Sequence, residues 1–309
     1  MNTDQLILAV IIFAVLILLP LVVLFVVRWL IPLEDPLEEF DDTALPTPSG
    51  GTNTMQDFWE GLKPHLIELR DRLVKAAVAV GIGTSIGFYI VNSPNLLGSP
   101  LPEFMVKQLA PAGTQLQAVG IGEVFLGYMR IALVVGVIVA MPVVVYQLVA
   151  FFAPGLLNRE KRILYVALPI VTELFLAGVA FGWYFTVPAA LEFLLGYGQT
   201  ANINTMPTTD SFFGTVATLL LWNGVIFQLP AVMYLLARLG VVTTKWLGET
   251  RRYALVVITI VAALITPTGD PYNLLLLAIP MYLLYELGII LTRLVPKPAT
   301  PVNEDVATA

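Results

Sequence analysis

The sequence predicts an all-α integral membrane protein. Hydrophobic residues make up 58% of its 309 residues and charged residues only 12%, and the mean hydropathy is +0.84. Soluble domains differ clearly, since about a quarter of their residues are charged. The charge also falls mostly between apolar runs, most of which approach the roughly 20 residues that a helix needs to cross a bilayer. Seven runs have this character, at 6–30, 73–91, 124–152, 163–187, 212–236, 253–265 and 274–294.

The placement of basic residues predicts the orientation of these runs. Apart from Lys107 and Arg130, the 16 Lys and Arg residues cluster at alternate ends of successive runs. Cytoplasmic loops carry the excess of Lys and Arg, so each run is expected to cross the membrane once. The N-terminus then lies outside, whereas the core N-terminal segment and the C-terminus are cytoplasmic.

The chain divides into four segments by composition. Residues 1–32 are expected to be a retained transmembrane anchor, because the apolar stretch is too long for a secretory signal and its basic residue follows it. Residues 33–55 are acidic and rich in turn formers, which predicts a flexible cytoplasmic linker. A core at 56–295 and a cytoplasmic tail at 296–309 complete the chain. The alternatives for the anchor are a lineage-specific appendage and a translation start at Met55; an accessory helix is favoured over a fused partner subunit.

The sixth run is too short to cross a bilayer without adjustment. Residues 253–265 span about 20 Å at 1.5 Å per residue, against a hydrocarbon core of roughly 30 Å. Pro267 and Pro271 follow, and proline does not continue a helix. We therefore expect the last two helices to form a short hairpin over which the bilayer thins. Tilted packing inside a bundle is the alternative.

Two charged elements lie at the cytoplasmic ends of the second and third runs. Around Glu68, leucines at 62, 66, 69 and 73 recur at helical spacing, so Glu68, Arg72 and Lys75 can point toward water or a partner. Glu160 follows a Pro-Gly turn. Because the two runs form an antiparallel pair of crossings, both carboxylates return to one membrane face. Simple anchoring of the helices is the alternative for each element alone.

Five groups of residues follow one another in an order typical of one membrane-protein family. They are His65-Leu66-Ile67-Glu68-Leu69-Arg70 with Arg72 and Leu73; Phe151 with Pro154-Gly155-Leu156 and Glu160-Lys161-Arg162; Phe181-Gly182-Trp183-Tyr184-Phe185 leading to Pro188 and Phe193; Phe227-Gln228-Leu229-Pro230; and Thr266-Pro267 with Asp270-Pro271 and Ala278-Ile279-Pro280-Met281. This combination resembles TatC, the core subunit of the twin-arginine protein translocase. The resemblance implies a six-helix concave bundle with two short final helices, to which the first run adds one extra transmembrane helix.

The resemblance also implies a function in protein transport, with neither enzymatic activity nor a cofactor. It implies recognition of signal peptides with two consecutive arginines on folded cargo at the cytoplasmic membrane. The resemblance further implies assembly with single-span TatA-type and TatB-type partners into a homo- and hetero-oligomer, and transport driven by the protonmotive force. It implies no nucleic-acid partner. An arginine fork pairs with a carboxylate through two parallel hydrogen bonds that lysine cannot reproduce, so Glu68 and Glu160 are the expected arginine receptors. The expected site is completed by Arg70, Arg72, Phe151 and Arg162.

Polar residues inside the apolar runs are functional candidates, because an ionised group at the bilayer centre costs on the order of 2.5 to 3.5 kcal/mol. Glu173 and Gln228 both lie about 15 Å deep by helical rise. The family often carries a glutamate at the Gln228 position. We therefore hypothesise that Glu173, in its protonated form, supplies the missing carboxyl, either bonding to Gln228 or facing a partner. The alternative is that Gln228 only caps a carbonyl freed by Pro230.

Three further positions have expected structural roles. Glu286 matches a family position and is expected to hydrogen-bond between helices. Glu123 can offset a helix N-terminus at the outer face. Asp270, together with Pro267, is expected to fix the outer turn of the final hairpin.

A proton-coupled secondary transporter is the main alternative function, motivated by Glu173 and the proline-interrupted helices. Against it, the chain has no evident inverted repeat. A membrane enzyme is disfavoured because His65 is the only histidine and the chain has no cysteine, so neither a catalytic nor a metal site is expected. Phosphate-binding glycine patterns are also absent from the sequence, which leaves nucleotide hydrolysis without visible residues.

Overall fold

The computed structural model describes residues 54–93, 99–152, 158–197, 206–266 and 270–295, without the side chains of 54–62 and 152–167. The described residues form helices connected by turns and loops, and the only β-structure among them is an isolated bridge between Gln117 and Thr208. The predicted all-α class is confirmed. The expected anchor at 1–32, nearly all of the linker at 33–55, Pro267 and the tail at 296–309 lie outside the described residues.

The longer helices overlap the six apolar runs predicted between residues 73 and 294. In chain order they are α1 (Thr54–Asn92), α2 (Leu101–Leu109), α3 (Glu123–Phe152), α4 (Asn158–Phe181), α5 (Val187–Gly196), α6 (Thr209–Ile226), α7 (Leu229–Arg238), α8 (Thr244–Glu249), α9 (Arg251–Ile265) and α10 (Pro271–Thr292), with a π-helical turn at Gly182–Thr186. Within the described ranges, five helical segments are long and apolar enough to cross a membrane: Lys63–Asn92, Glu123–Phe151, Leu168–Gly196, Thr209–Arg238 and Pro271–Thr292. The chain forms two compact units, one up to Val225 and one from Ile226.

The last two helices differ in length. Helix α9 has 15 residues, about 22 Å, and is short as expected. Helix α10 has 22 residues, about 33 Å, and so differs from the short helix expected there. The reason is that Pro271 occupies the start of α10, where a missing N–H costs nothing, and Pro280 lies inside the helix without ending it. A proline that was expected to end one helix therefore begins the next.

Helices α1 and α3 pack through glycines that bring their backbones into contact. A Cβ atom at Gly83 would lie 3.2 Å from the Gly136 carbonyl carbon, and one at Gly87 would lie 3.1 Å from the Gly136 nitrogen. A Cβ atom at Gly136 would lie 2.5 Å from the Thr84 Cα. Close contact of this kind holds membrane helices together, since lipid is as apolar as the helix surface and supplies no hydrophobic driving force. We call Gly83, Gly87 and Gly136 the glycine seam.

A buried polar pair joins α6 to the π-helical turn. The Thr186 hydroxyl donates to Asn223 Oδ1 at 3.2 Å, and the Asn223 amide donates to the Leu219 carbonyl at 2.8 Å. Thr186 is 0% and Asn223 1% exposed. Unpaired polar groups are costly in such surroundings, so this pairing fixes which face of α6 meets the turn.

In the second unit, α10 collects contacts from the helices before it. The Tyr285 hydroxyl donates to the Leu247 carbonyl at 2.7 Å, which ties α8 to α10. Helix α7 packs on α10 at Gly288, where the Met233 thioether fills the space of the missing side chain. The small residue on one helix and the adaptable methionine on the other let the two come close.

Candidate functional site

The charged start of α1 lines an open groove of about 610 Å³. Its lining residues recur along one side of the helix: Lys63, Pro64, Ile67, Glu68, Asp71, Arg72 and Lys75. Among them, Glu68 and Arg72 are partly buried and the others are exposed. The groove therefore presents two carboxylates and three cations where the candidate span Lys63–Asn92 begins.

Within this groove, Arg72 occupies the Glu68 carboxylate. Its Nε and Nη2 atoms donate to Glu68 Oε1 at 2.9 and 2.5 Å, and neither reaches Oε2. The two side chains are only 24% and 30% exposed. In contrast, Arg70 turns to Asp71, with hydrogen bonds of 3.0 and 2.8 Å between side chains that are 70% and 51% exposed. Two arginines separated by one residue thus pair with different carboxylates, and only Arg72 engages the predicted arginine receptor.

Phe151 is brought level with Glu68 by the antiparallel packing of α1 and α3. Gly83 faces Gly136, and the residue four positions later in α1 faces the residue four positions earlier in α3. Glu68 lies 15 residues before Gly83, and Phe151 lies 15 residues after Gly136. At 1.5 Å per residue, both are about 22 Å from the same point of the seam. The seam thereby sets Phe151 and Glu68 at one end of the first unit.

Glu160 and Arg162 lie near the start of α4, in the part whose side chains are outside the described residues. Helix α3 ends at Phe152 and α4 begins at Asn158. The connection can reach about 20 Å when fully extended, which is less than the roughly 30 Å of a hydrocarbon core. Helix α4 therefore begins at the end where α3 finishes, and Glu160 belongs to the same end of the unit as Glu68.

At the opposite end of the first unit, one carboxylate joins three pieces of chain. Glu123 Oε2 accepts the N–H groups of Val119 and Gly120 at 2.8 and 3.0 Å, and its Oε1 accepts the Asp210 N–H at 2.9 Å. Asp210 in turn pairs with Arg130 at 2.8 Å. Glu123 thus lies at the start of α3, where a negative charge is favourable. It also accepts the N–H of Asp210 in the first turn of α6, and first-turn N–H groups have no partner within their own helix.

Asp270 caps α10. Its two carboxylate oxygens accept the Asn273 N–H at 2.8 Å and the Asn273 side-chain amide at 2.9 Å. Asn273 is 3% exposed, so this cap lies in the protein interior and fixes the start of the helix.

The two residues expected at membrane depth, Glu173 and Gln228, have different surroundings. Glu173 is exposed within the candidate span Leu168–Gly196. Gln228 is the N-cap residue of α7, and its carbonyl accepts the Val232 N–H at 2.9 Å. The two belong to different compact units, and the hydrogen bond between them stays a prediction.

Glu286 takes part in a fork between α9 and α10. Arg251 Nε lies 2.8 Å from Glu286 Oε1, and Arg251 Nη2 donates to Oε2 at 2.9 Å. The Tyr282 hydroxyl donates to the same carboxylate at 3.1 Å. Both carboxylate oxygens are therefore engaged inside the second unit. Across the described parts of the chain, no three His, Cys, Asp or Glu side chains are grouped to hold a metal ion.

Comparisons with known proteins identify the family and match the fold. A profile of the family described as Sec-independent protein translocase protein (TatC) matches residues 64–280. The chain belongs to the TatC family. The TatC protein of Desulforapulum autotrophicum is 34% identical over 244 residues, which cover 79% of this chain and 88% of the relative. The TatC protein of Deinococcus radiodurans is 38% identical over 234 residues, covering 74% and 84% respectively.

A solved structure agrees with the fold of this TatC chain. A crystal structure described as the twin arginine translocase receptor TatC superposes with a TM-score of 0.65 at 33% identity, covering 75% of this chain and 99% of the other. The resemblance read from the sequence is confirmed, and the protein is a membrane-embedded Sec-independent protein translocase protein. The relatives are named as translocase proteins, so the alternative of a proton-coupled transporter gains no support from them.

Sequence reasoning missed three features of this TatC chain. The glycine seam had a signal, because Gly83 and Gly87 are spaced four residues apart on one helix face. The pairing of Arg72 with Glu68 had one as well, in their i,i+4 spacing. Arg251 as the partner of Glu286 had none, because 35 residues separate the two and no local pattern connects them.

Proposed function

We propose that this TatC protein is the receptor for twin-arginine signal peptides and the core subunit of a translocase that exports folded proteins across the cytoplasmic membrane. Membership of the TatC family supports this role, as does the description of the solved relative as a receptor. The observation that carries the proposal is the Glu68 carboxylate, which lies in a polar groove and already accepts two hydrogen bonds from an arginine side chain.

In this mechanism a cargo arginine exchanges with Arg72. The Arg72 guanidinium uses only Glu68 Oε1, whereas an arginine from outside can approach both oxygens in the parallel geometry that makes fork pairs strong. The second cargo arginine pairs with Glu160 at the start of α4. Phe151, level with Glu68, offers an apolar surface to the part of the peptide that lies between Glu68 and Glu160. Arg70 and Arg162 hold this end of the unit at the lipid headgroups.

The remaining parts of the chain complete the proposal. The groove faces the cytoplasm, because the basic residues that flank the spans are retained on that side. Residues 1–32 form an additional membrane anchor and residues 33–55 a linker on the cytoplasmic side, ahead of a core at 56–295. Single-span TatA-type and TatB-type subunits assemble with this core, and the protonmotive force drives transport.

Peptide binding by the purified chain in lipid nanodiscs tests the receptor role. We expect a peptide with two consecutive arginines to bind about tenfold or more tightly than the same peptide with two lysines, since lysine cannot form the fork. Glu68→Gln and Glu160→Gln should each weaken binding of the arginine peptide by about tenfold or more, because hydrogen bonds to charged groups contribute about 1.5 to 3 kcal/mol.

Glu103→Gln is the matched control. Glu103 is an exposed carboxylate in the first turn of α2, away from the groove, so its substitution should leave the affinity unchanged. Equal affinity for the arginine and lysine peptides, or equal effects of the Glu68 and Glu103 substitutions, would contradict the receptor role.

A further inference from the structure

Glu173 combines two properties that rarely occur together. It lies inside the candidate span Leu168–Gly196, 11 residues and about 16 Å along the helix from Arg162. Its side chain is nevertheless exposed on the surface of the unit rather than turned into its interior. An ionisable residue at membrane depth normally faces a bundle interior, a water-filled cavity or a polar partner, because lipid offers its carboxyl neither water nor a hydrogen-bond donor.

The neighbours of Glu173 form a face suited to a second helix. Ile170 precedes Glu173, and Ala177 and Ala180 follow it, at the three- and four-residue spacing of a helix-packing seam. Ile170 is 62% exposed and the two alanines are half-buried, whereas Phe175, on the other side of α4, is 1% exposed. The alanines leave room for another backbone to approach, which is how membrane helices associate. We call Ile170, Glu173, Ala177 and Ala180 the Glu173 face.

The chemistry of the carboxyl selects among occupants. Lipid chains carry no donor. The apolar stretch at 6–27 of this chain contains no polar side chain at all, so it cannot satisfy Glu173 either. A second copy packed through the same face would set two carboxyls against each other, and that contact is satisfied only when at least one of them is protonated, since two ionised carboxyls repel. A membrane helix with an amide, hydroxyl or basic side chain at matching depth satisfies the carboxyl in either protonation state.

We infer that the Glu173 face is a docking surface for a single-span partner helix that presents a hydrogen-bond donor at the depth of Glu173. This inference rests on the proposed assembly with single-span subunits and assigns one contact within it. The alanines set the distance between the two helices, and the Glu173 carboxyl sets their register, because a donor displaced by one turn, about 5.4 Å, no longer reaches it. Hydrogen bonds between membrane helices change association by about 3- to 30-fold.

Site-specific photocrosslinking in the native membrane tests the contact. A photoreactive residue at position 177 should give an adduct with a small single-span protein that carries a polar residue near the middle of its span. Replacing that polar residue with leucine, or making Glu173→Leu in this chain, should reduce the adduct about 3- to 30-fold. Glu173→Gln should preserve it, because an amide also accepts a hydrogen bond. A photoreactive residue at position 143, where Val143 is 43% exposed on α3, should give no such adduct.

Ser85→Ala is the matched control for loss of a polar group from an exposed helix face. Its hydroxyl already donates to the Gly81 carbonyl at 3.1 Å, so it needs no partner, and the adduct should be unaffected. Two results would overturn this inference and leave the proposed assembly intact. One is an adduct with the mass of two copies of this chain. The other is the absence of any adduct from position 177 while single-span subunits still copurify with the chain. Failure of single-span subunits to copurify with the unsubstituted chain would count against the proposed assembly. The affinity of Glu173→Leu for the twin-arginine peptide, expected to be unchanged, shows that this variant is folded.

Discussion

Substitution of Gly136 by alanine should separate α1 from α3. A Cβ atom at this position would lie 2.5 Å from the Thr84 Cα and 2.6 Å from its hydroxyl oxygen. Carbon atoms in ordinary contact are about 3.5 to 4.0 Å apart, so the two backbones must move by roughly 1 to 1.5 Å. Neither partner can yield by changing a rotamer, because the obstructing atoms include the main chain of α1.

The expected cost follows from that geometry. Overpacking a close-packed contact costs about 1 to 3 kcal/mol, whereas alanine favours the helical conformation over glycine by about 1 kcal/mol. Gly81→Ala provides the matched control, since Gly81 lies in the same span as Gly83 and Gly87 and a Cβ there meets nothing within 4 Å. Both variants gain the same helical preference, so the difference between them isolates the packing cost of about 1 to 3 kcal/mol.

Denaturant unfolding in detergent micelles measures this difference, and affinity for a twin-arginine peptide provides a second readout. Gly136→Ala should lower the unfolding midpoint relative to Gly81→Ala without changing the slope of the transition. It should also weaken peptide binding, because the seam holds Glu68 on α1 level with Phe151 on α3. Equal midpoints for the two variants would refute the claim that the glycine seam holds these helices together.

Three further substitutions test separate parts of the structure. Arg72→Gln should tighten binding of a twin-arginine peptide by about twofold, because an i,i+4 ion pair of about 0.3 to 0.5 kcal/mol no longer competes for Glu68. Arg70→Gln is the control, because it removes the same charge without freeing Glu68. Equal tightening by both substitutions would show that net charge alone is responsible. Thr186→Val should lower the free energy of unfolding by about 0.6 to 1.7 kcal/mol by leaving its buried asparagine partner without a donor, and an unchanged unfolding midpoint would contradict that role. Glu123→Gln should speed amide hydrogen exchange at the three N–H groups that donate to this carboxylate, and unchanged exchange there would contradict the role of Glu123 in joining these segments.

Local features of the sequence predicted much of the fold. Hydropathy located four of the six core runs to within about three residues, because an apolar run must be long enough to enter the bilayer whatever it packs against. In contrast, α1 begins 19 residues before its run at 73–91, and the helical segment ending with α5 continues nine residues past the run at 163–187. The position of Glu68 and Glu160 at one end of the first unit followed from the antiparallel order of the runs. The cytoplasmic location of that end stays a prediction from the distribution of basic residues. The length of the last helix was also predicted wrongly, because the family resemblance implied a short helix and α10 has 22 residues.

Contacts between distant residues were harder to predict. Glu123 accepts the Asp210 N–H across 87 positions, and Glu286 pairs with Arg251 across 35. Either carboxylate can be recognised in the sequence as polar and close to a span. Nothing in its own neighbourhood identifies the donor, because that choice depends on which helices pack together.

By itself, the sequence determined that this is a helical membrane protein of the TatC family, and it identified Glu68 and Glu160 as receptor candidates. The tertiary structure decided the register of α1 against α3, and with it the placement of Phe151 level with Glu68. It also decided that Arg72 occupies Glu68 and that Glu173 faces outward. The physical reason is that hydropathy and helical spacing fix the depth of a residue in the membrane, whereas its neighbours are fixed by the fit between two helix surfaces, here the contact of glycine backbones.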